Sequence, residues 1–102
     1  MHFLAVFREM KELLHRLRKY ASEIRQIQDT ELPELREELS ETTGIFKGRE
    51  RNAIEVKIET AEKRVSNLKD RISRMVQEQG YPDGQAFMAA YNKAESIVKR
   101  YE

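Results

Sequence analysis

The chain has 102 residues, of which 39% are hydrophobic and 36% charged, with two prolines, four glycines and no cysteine. That length makes one domain, in proportions suited to helices with thin apolar seams, and the missing thiol excludes disulfides and cysteine-based catalysis. A net charge of +1 supplies no global field toward nucleic acid or membrane, so binding of either needs a local patch.

The longest apolar run, Phe3 to Phe7, opens the first element. It is too short for a membrane span or a signal-peptide core, and the expected location is the cytoplasm. From Phe3, the positions Phe7, Met10, Leu14, Leu17, Ala21 and Ile24 recur at alternating steps of four and three. That heptad seam predicts a helix from about residue 2 to about residue 43. The spacing then slips, because passing through Gln28 to Leu32, Leu35, Leu39 and Thr42 needs successive steps of four, a stutter that loosens a supercoil. Pro33 lies there and crowds the carbonyl of Asp29. A kink is expected near residues 29–33, or a restart with Asp29 or Thr30 as N-cap and Pro33 in the first turn. Gly44 is placed to end this helix in the left-handed conformation, with Ile45 reaching back to Leu39 in a Schellman closure.

A second helix is predicted from about residue 49 to about residue 79. Its seam runs through Ile54, Ile58, Ala61, Val65, Leu68, Ile72, Met75 and Gln79 without proline or glycine. The turn Gly80-Tyr81-Pro82-Asp83-Gly84 follows, with Gly80 as helix stop and Asp83 as N-cap of a last helix to about residue 101. That helix carries Phe87, Ala90, Ala94, Ile97 and Tyr101 on one face.

Charge placement tests how these helices pair. If the first two lie antiparallel about the turn at Gly44 to Gly48, heptad labelling sets Lys57 against Glu38, Arg64 against Glu31 and Arg36 against Glu55, with Arg25 and Lys69 as a like-charged exception. Exposed pairs contribute only about 0.2–1 kcal/mol each, so they select register more than they add stability. In the first helix Val6, Leu13, Tyr20 and Ile27 widen the apolar face enough for two neighbours. The expected fold is all-α: a long antiparallel coiled-coil hairpin, with a shorter third helix completing a three-helix bundle over one half. In that arrangement Phe3, Leu4 and Phe7 overhang the end, a candidate surface for a protein partner or for self-association.

No catalytic constellation appears. Helical carboxylates stand beside lysine or arginine on polar faces, the setting of a solvated surface. Glu12 and His15 form one Glu-x-x-His, the spacing of carboxylate-bridged di-iron bundles, but His2 cannot supply the second pair that such sites need. Nucleophile-elbow, zinc-protease and phosphate-loop motifs are missing. No enzyme activity, cofactor or metal is therefore expected. One stretch has a binding signature, Ile45-Phe46-Lys47-Gly48-Arg49-Glu50-Arg51. Phe46 could stack on a base while Lys47, Arg49 and Arg51 grip phosphate beside a helix N-terminus, which makes these four the candidate nucleic-acid contact. The plainer alternative folds Ile45 and Phe46 inward against Leu39 and Ile54, with the three cations offsetting the acidic run from Asp29 to Glu41. A second basic set, Lys11, Arg18 and Arg25, is more simply a solubility feature.

The stretch Glu41-Thr42-Thr43-Gly44-Ile45-Phe46-Lys47-Gly48-Arg49-Glu50-Arg51, the heptad helix after it, Gly80-Tyr81, and the segment Gln85-Ala86-Phe87-Met88 together resemble the helical, non-nuclease region of MobA/MobL-type mobilisation proteins (relaxases) of plasmids and transposons. The resemblance covers roughly residues 35–101. The nuclease domain of that family is associated with a histidine cluster that binds metal and with a tyrosine nucleophile. Neither carries over, since His2 and His15 do not cluster and the tyrosines have no metal site to serve. What the resemblance implies is an accessory, non-catalytic module of a conjugative DNA-processing protein, or a small product of a mobile element.

Overall fold

The computed structural model describes residues 2–101, with His2 by its backbone alone, so the part weighed above for the His2 side chain lies outside what is described. Every regular element among the described residues is helical: α1 (His2–Gln26), a π-helical turn (Ile27–Glu31), α2 (Leu32–Glu41), α3 (Gly48–Glu78) and α4 (Gly84–Arg100). None of these helices is long and apolar enough to cross a membrane. The chain packs as two compact units, one of Met1–Tyr20 with Asp70–Glu102 and one of Ala21–Lys69.

Within Ala21–Lys69 the stutter is absorbed by the π turn. A π turn closes i to i+5 and holds an extra residue, which rotates the face that follows by about 100°. Ile27 and Leu32 thereby become the buried pair, while Gln28, the expected seam position, is exposed. The Leu32 N–H donates to the Ile27 carbonyl, and Pro33 follows in the first turn of α2. A residue with no N–H can sit after a skipped partner and orphan no donor. Gln26, Glu31 and Leu32 all keep right-handed helical angles, and no side chain caps either junction. The expected restart at Asp29 or Thr30 therefore does not occur.

On α3 the residues Ile54, Ala61, Val65 and Leu68 are buried as the seam predicts, and Ile58 is half-buried. The ion pairs of this unit differ from those expected. Arg64 pairs with Glu23 and Arg36 with Glu62 at 3.5 Å. The residues matched by heptad labels, Glu31, Glu38, Lys57 and Arg64, instead line one open groove with Leu35, Val56 and Ala61 between them. The extra residue in the π turn shifts the flanks of α2 away from their heptad labels, and long exposed arms then reach other partners.

Helix ends also differ from expectation. The helix before Gly44 stops at Glu41, where the Thr42 N–H donates to the carbonyls of Glu38 and Leu39 and the Thr42 hydroxyl donates to Glu38 at 2.8 Å. Gly44 does take a positive φ of 121°, but in the turn beyond the helix, and Ile45 is 93% exposed instead of reaching back to Leu39. The Schellman closure is found at the other turn. Tyr81 N–H donates to the Val76 carbonyl and Gly80 N–H to that of Gln77, each at 3.0 Å, with Gly80 at φ 93°.

The unit of Met1–Tyr20 and Asp70–Glu102 holds the larger core. Phe7, Met10, Leu13, Leu14 and Leu17 of α1 meet Val76 of α3 and Phe87, Tyr91 and Ala94 of α4. Asp83 caps α4 as predicted, its carboxylate accepting from the Ala86 N–H at 2.8 Å. The Tyr81 ring, carried inward by the Schellman turn, meets Phe87 edge-on with centroids 5.1 Å apart. Two seam predictions fail here. Val76 is fully buried where Gln79 was expected, and Tyr101 lies exposed beyond the end of α4. A helix contacting two neighbours needs a second buried stripe, and a single heptad seam does not register it.

Candidate functional site

The turn between α2 and α3 gathers the four residues proposed to contact nucleic acid. The Lys47 N–H donates to the Gly44 carbonyl at 3.3 Å, closing a turn that Gly44 allows by its positive φ. α3 then begins at Gly48, and the Arg51 N–H donates back to the Lys47 carbonyl at 2.9 Å. The side chains divide into two groups. Arg51 turns its guanidinium onto α2 and donates to the carbonyls of Leu39 and Thr42, while the Lys47 ammonium pairs with Glu50 at 3.3 Å. Phe46, 95% exposed, and Ile45 beside it stand in solvent, as does Arg49, which forms no ion pair among the described residues. The inward-folded alternative for Ile45 and Phe46 is thus not what forms, because Thr42 and Arg51 already close the end of α2.

At the start of α1 the three residues expected to overhang together are separated. Phe7 is buried, its ring stacked on Tyr91 of α4 with centroids 5.6 Å apart and the Lys11 ammonium 5.5 Å from the ring centre. Phe7 therefore has its partner within the chain. Phe3, Leu4 and Val6 remain exposed to 42%, 54% and 38%. Burial, joined by a hydrogen bond to the Glu95 carboxylate, raises the pKa of the Tyr91 phenol above its ordinary value.

Glu12 and His15 lie on the exposed face of α1, and among the described residues no three His, Cys, Asp or Glu side chains come together in a set that could hold a metal ion. Heptad labels alone pass over another grouping, in which the Arg71 guanidinium carbon stands 5.5 Å from the Tyr20 ring centre. Its signal in sequence is the step of four between Arg16 and Tyr20, matched by that between Arg71 and Met75. No protein-family model, curated protein or solved structure matches the chain.

Proposed function

We propose that the chain is a non-catalytic helical interaction module. Its architecture is an antiparallel coiled-coil hairpin with α4 completing a three-helix bundle over one half, and its setting is that of the MobA/MobL-type relaxase region it resembles: holding protein, or a second copy of itself, in a conjugative DNA-processing complex. The observation that supports this reading is the exposure of Ile45 and Phe46. Two apolar side chains stand at a turn where neither serves a core, beside cations of which two are engaged within the chain. Desolvating them against a partner is favourable at about 25 cal/mol per Å² of apolar area. The alternative, an accessory nucleic-acid-binding protein using the same turn, draws support from exposed Phe46 and, three residues on, exposed Arg49.

Sedimentation velocity over a concentration series, beside oligonucleotide titrations at several salt concentrations, separates the two. The interaction reading expects association that Ile45→Ser/Phe46→Ser abolishes and Lys47→Ala/Arg49→Ala leaves unchanged. A chain that stays monomeric, and that binds an oligonucleotide with a salt slope diminished in Lys47→Ala/Arg49→Ala, overturns it in favour of the alternative.

A further inference from the structure

In the unit of Met1–Tyr20 and Asp70–Glu102, a cleft between α1 and α3 is lined by Arg16, Lys19, Tyr20, Arg71 and Met75. It is an open cleft of about 440 Å³. The lining holds three cations and no carboxylate. None of the three forms an ion pair among the described residues, and all three are exposed. The chain carries nearly equal numbers of basic and acidic residues, 19 and 18, so a cleft of one sign is not a consequence of composition. The groove on the other unit shows the usual arrangement, with Glu31, Glu34 and Glu38 balanced by Lys57 and Arg64. A further groove, which Arg16 also lines, is likewise mixed, since Glu9 and Glu12 line it.

Like charges gathered with no carboxylate in the lining and no ion pair among the described residues repel, and an anion seated among them relieves that repulsion. The arrangement is also partly preorganised. Arg71 lies over the half-buried Tyr20 ring with its guanidinium carbon 5.5 Å from the ring centre, a cation–π contact that restricts the arm. A guanidinium held this way presents its planar fork of N–H donors, which matches two oxygens of a phosphate group. Arg16 and Lys19, one turn apart on α1, supply further donors from the facing wall.

We propose that this cleft binds phosphate, with Arg71 as a bidentate ligand and Arg16 and Lys19 as charge partners. The shared chemistry is the phosphate oxyanion, borne either by a free phosphate compound or by the backbone of a nucleic acid strand. This site is separate from the α2–α3 turn and does not depend on the interaction reading.

The test titrates the full chain at low salt with inorganic pyrophosphate and, separately, with a short oligothymidylate, following backbone amide shifts of Arg16, Tyr20 and Arg71. Shifts centred on these residues are expected. Saturation by pyrophosphate alone identifies a free phosphate compound as the source, and saturation by the oligonucleotide identifies a strand. Arg16→Gln/Lys19→Gln/Arg71→Gln should weaken binding at least about tenfold and, for the oligonucleotide, lower the log–log salt slope by about 2, at roughly 0.7 per phosphate contact. Lys47→Gln/Arg49→Gln should leave both unchanged. Failure of both ligands to bind overturns the proposal, as does binding that is lost in the turn variant and kept in the cleft variant. The wild-type shifts need no substitution, so a variant that fails to fold does not remove the test.

Discussion

Arg51, in the first turn of α3, donates its guanidinium to the carbonyl of Leu39 at 2.9 Å and to that of Thr42 just beyond the end of α2. The last carbonyls of a helix have no partner within it, and they sit at the negative end of its dipole. One cation from the next helix therefore satisfies two acceptors and holds the two helix ends together. A residue that sequence spacing offers to a phosphate is thereby committed to the fold.

Arg51→Ala should destabilise the chain by about 1–2 kcal/mol, the lower part of the range for hydrogen bonds from a charged donor, because the site is only part-buried. Arg51→Lys keeps the charge but not the fork that spans two carbonyls, and its urea midpoint should fall between those of wild type and Arg51→Ala. A midpoint for Arg51→Ala equal to wild type would show that water replaces these bonds at no cost.

The two glycines of the second turn should respond with opposite sign. Gly80 sits at φ 93°, where a side chain is strained whatever space surrounds it, so Gly80→Ala should lose roughly 1–2 kcal/mol. Gly84 lacks a positive φ and a Cβ there meets nothing within 4 Å. Gly84→Ala should therefore gain about 0.4–1 kcal/mol through the unfolded chain. Thermal unfolding of the two variants side by side reads the sign directly.

Phe87 has no exposed surface and touches both Tyr81 and Tyr91. Phe87→Ala should cost about 3–5 kcal/mol, much of the total stability of a small domain. Tyr101, 86% exposed, is the internal control, and Tyr101→Ala should stay within about 0.5 kcal/mol of wild type. Both follow from urea denaturation monitored by circular dichroism.

Tyr91 predicts a loss of stability in alkali. Burial first, then the Glu95 carboxylate, favours its neutral form in the folded chain, so its folded pKa lies above the unfolded value of 10.0. A raised pKa means that the native state holds the proton more tightly. The contribution is fully present below pH 10 and is lost as pH rises from there through the folded value. The urea midpoint of wild type should fall over that interval more steeply than that of Tyr91→Phe, which has no phenol to ionise. Parallel profiles would show that Tyr91 carries no such linkage.

Much of the local structure is legible in residue spacing. The heptads of Phe7 to Leu17 and of Ile54 to Leu68, the glycine stop at Gly80 and the Asp83 cap depend on neighbours a turn or two away, and spacing encodes those relations. The candidate contacts were less legible. Spacing leaves Phe7 unpartnered, whereas its ring stacks on Tyr91, a residue that one stripe through Phe87, Ala90 and Ala94 omits because it lies one position from Ala90. Apolar character suits Ile45 and Phe46 to the end of the seam, but both are exposed while Arg51 closes the carbonyls there.

What sequence by itself determined is where helices form, where α3 stops and where α4 begins, since 3.6-residue periodicity, a left-handed glycine and a capping carboxylate act within one chain segment. Tertiary structure alone decided that the slip at Gln28 becomes a π turn, that Arg36 and Arg64 choose Glu62 and Glu23, and that Val76 is buried in place of Gln79. The physical reason is range: hydrogen-bonded turns are settled by adjacent residues, whereas long side chains and second buried stripes take whichever partners a neighbouring helix brings within reach.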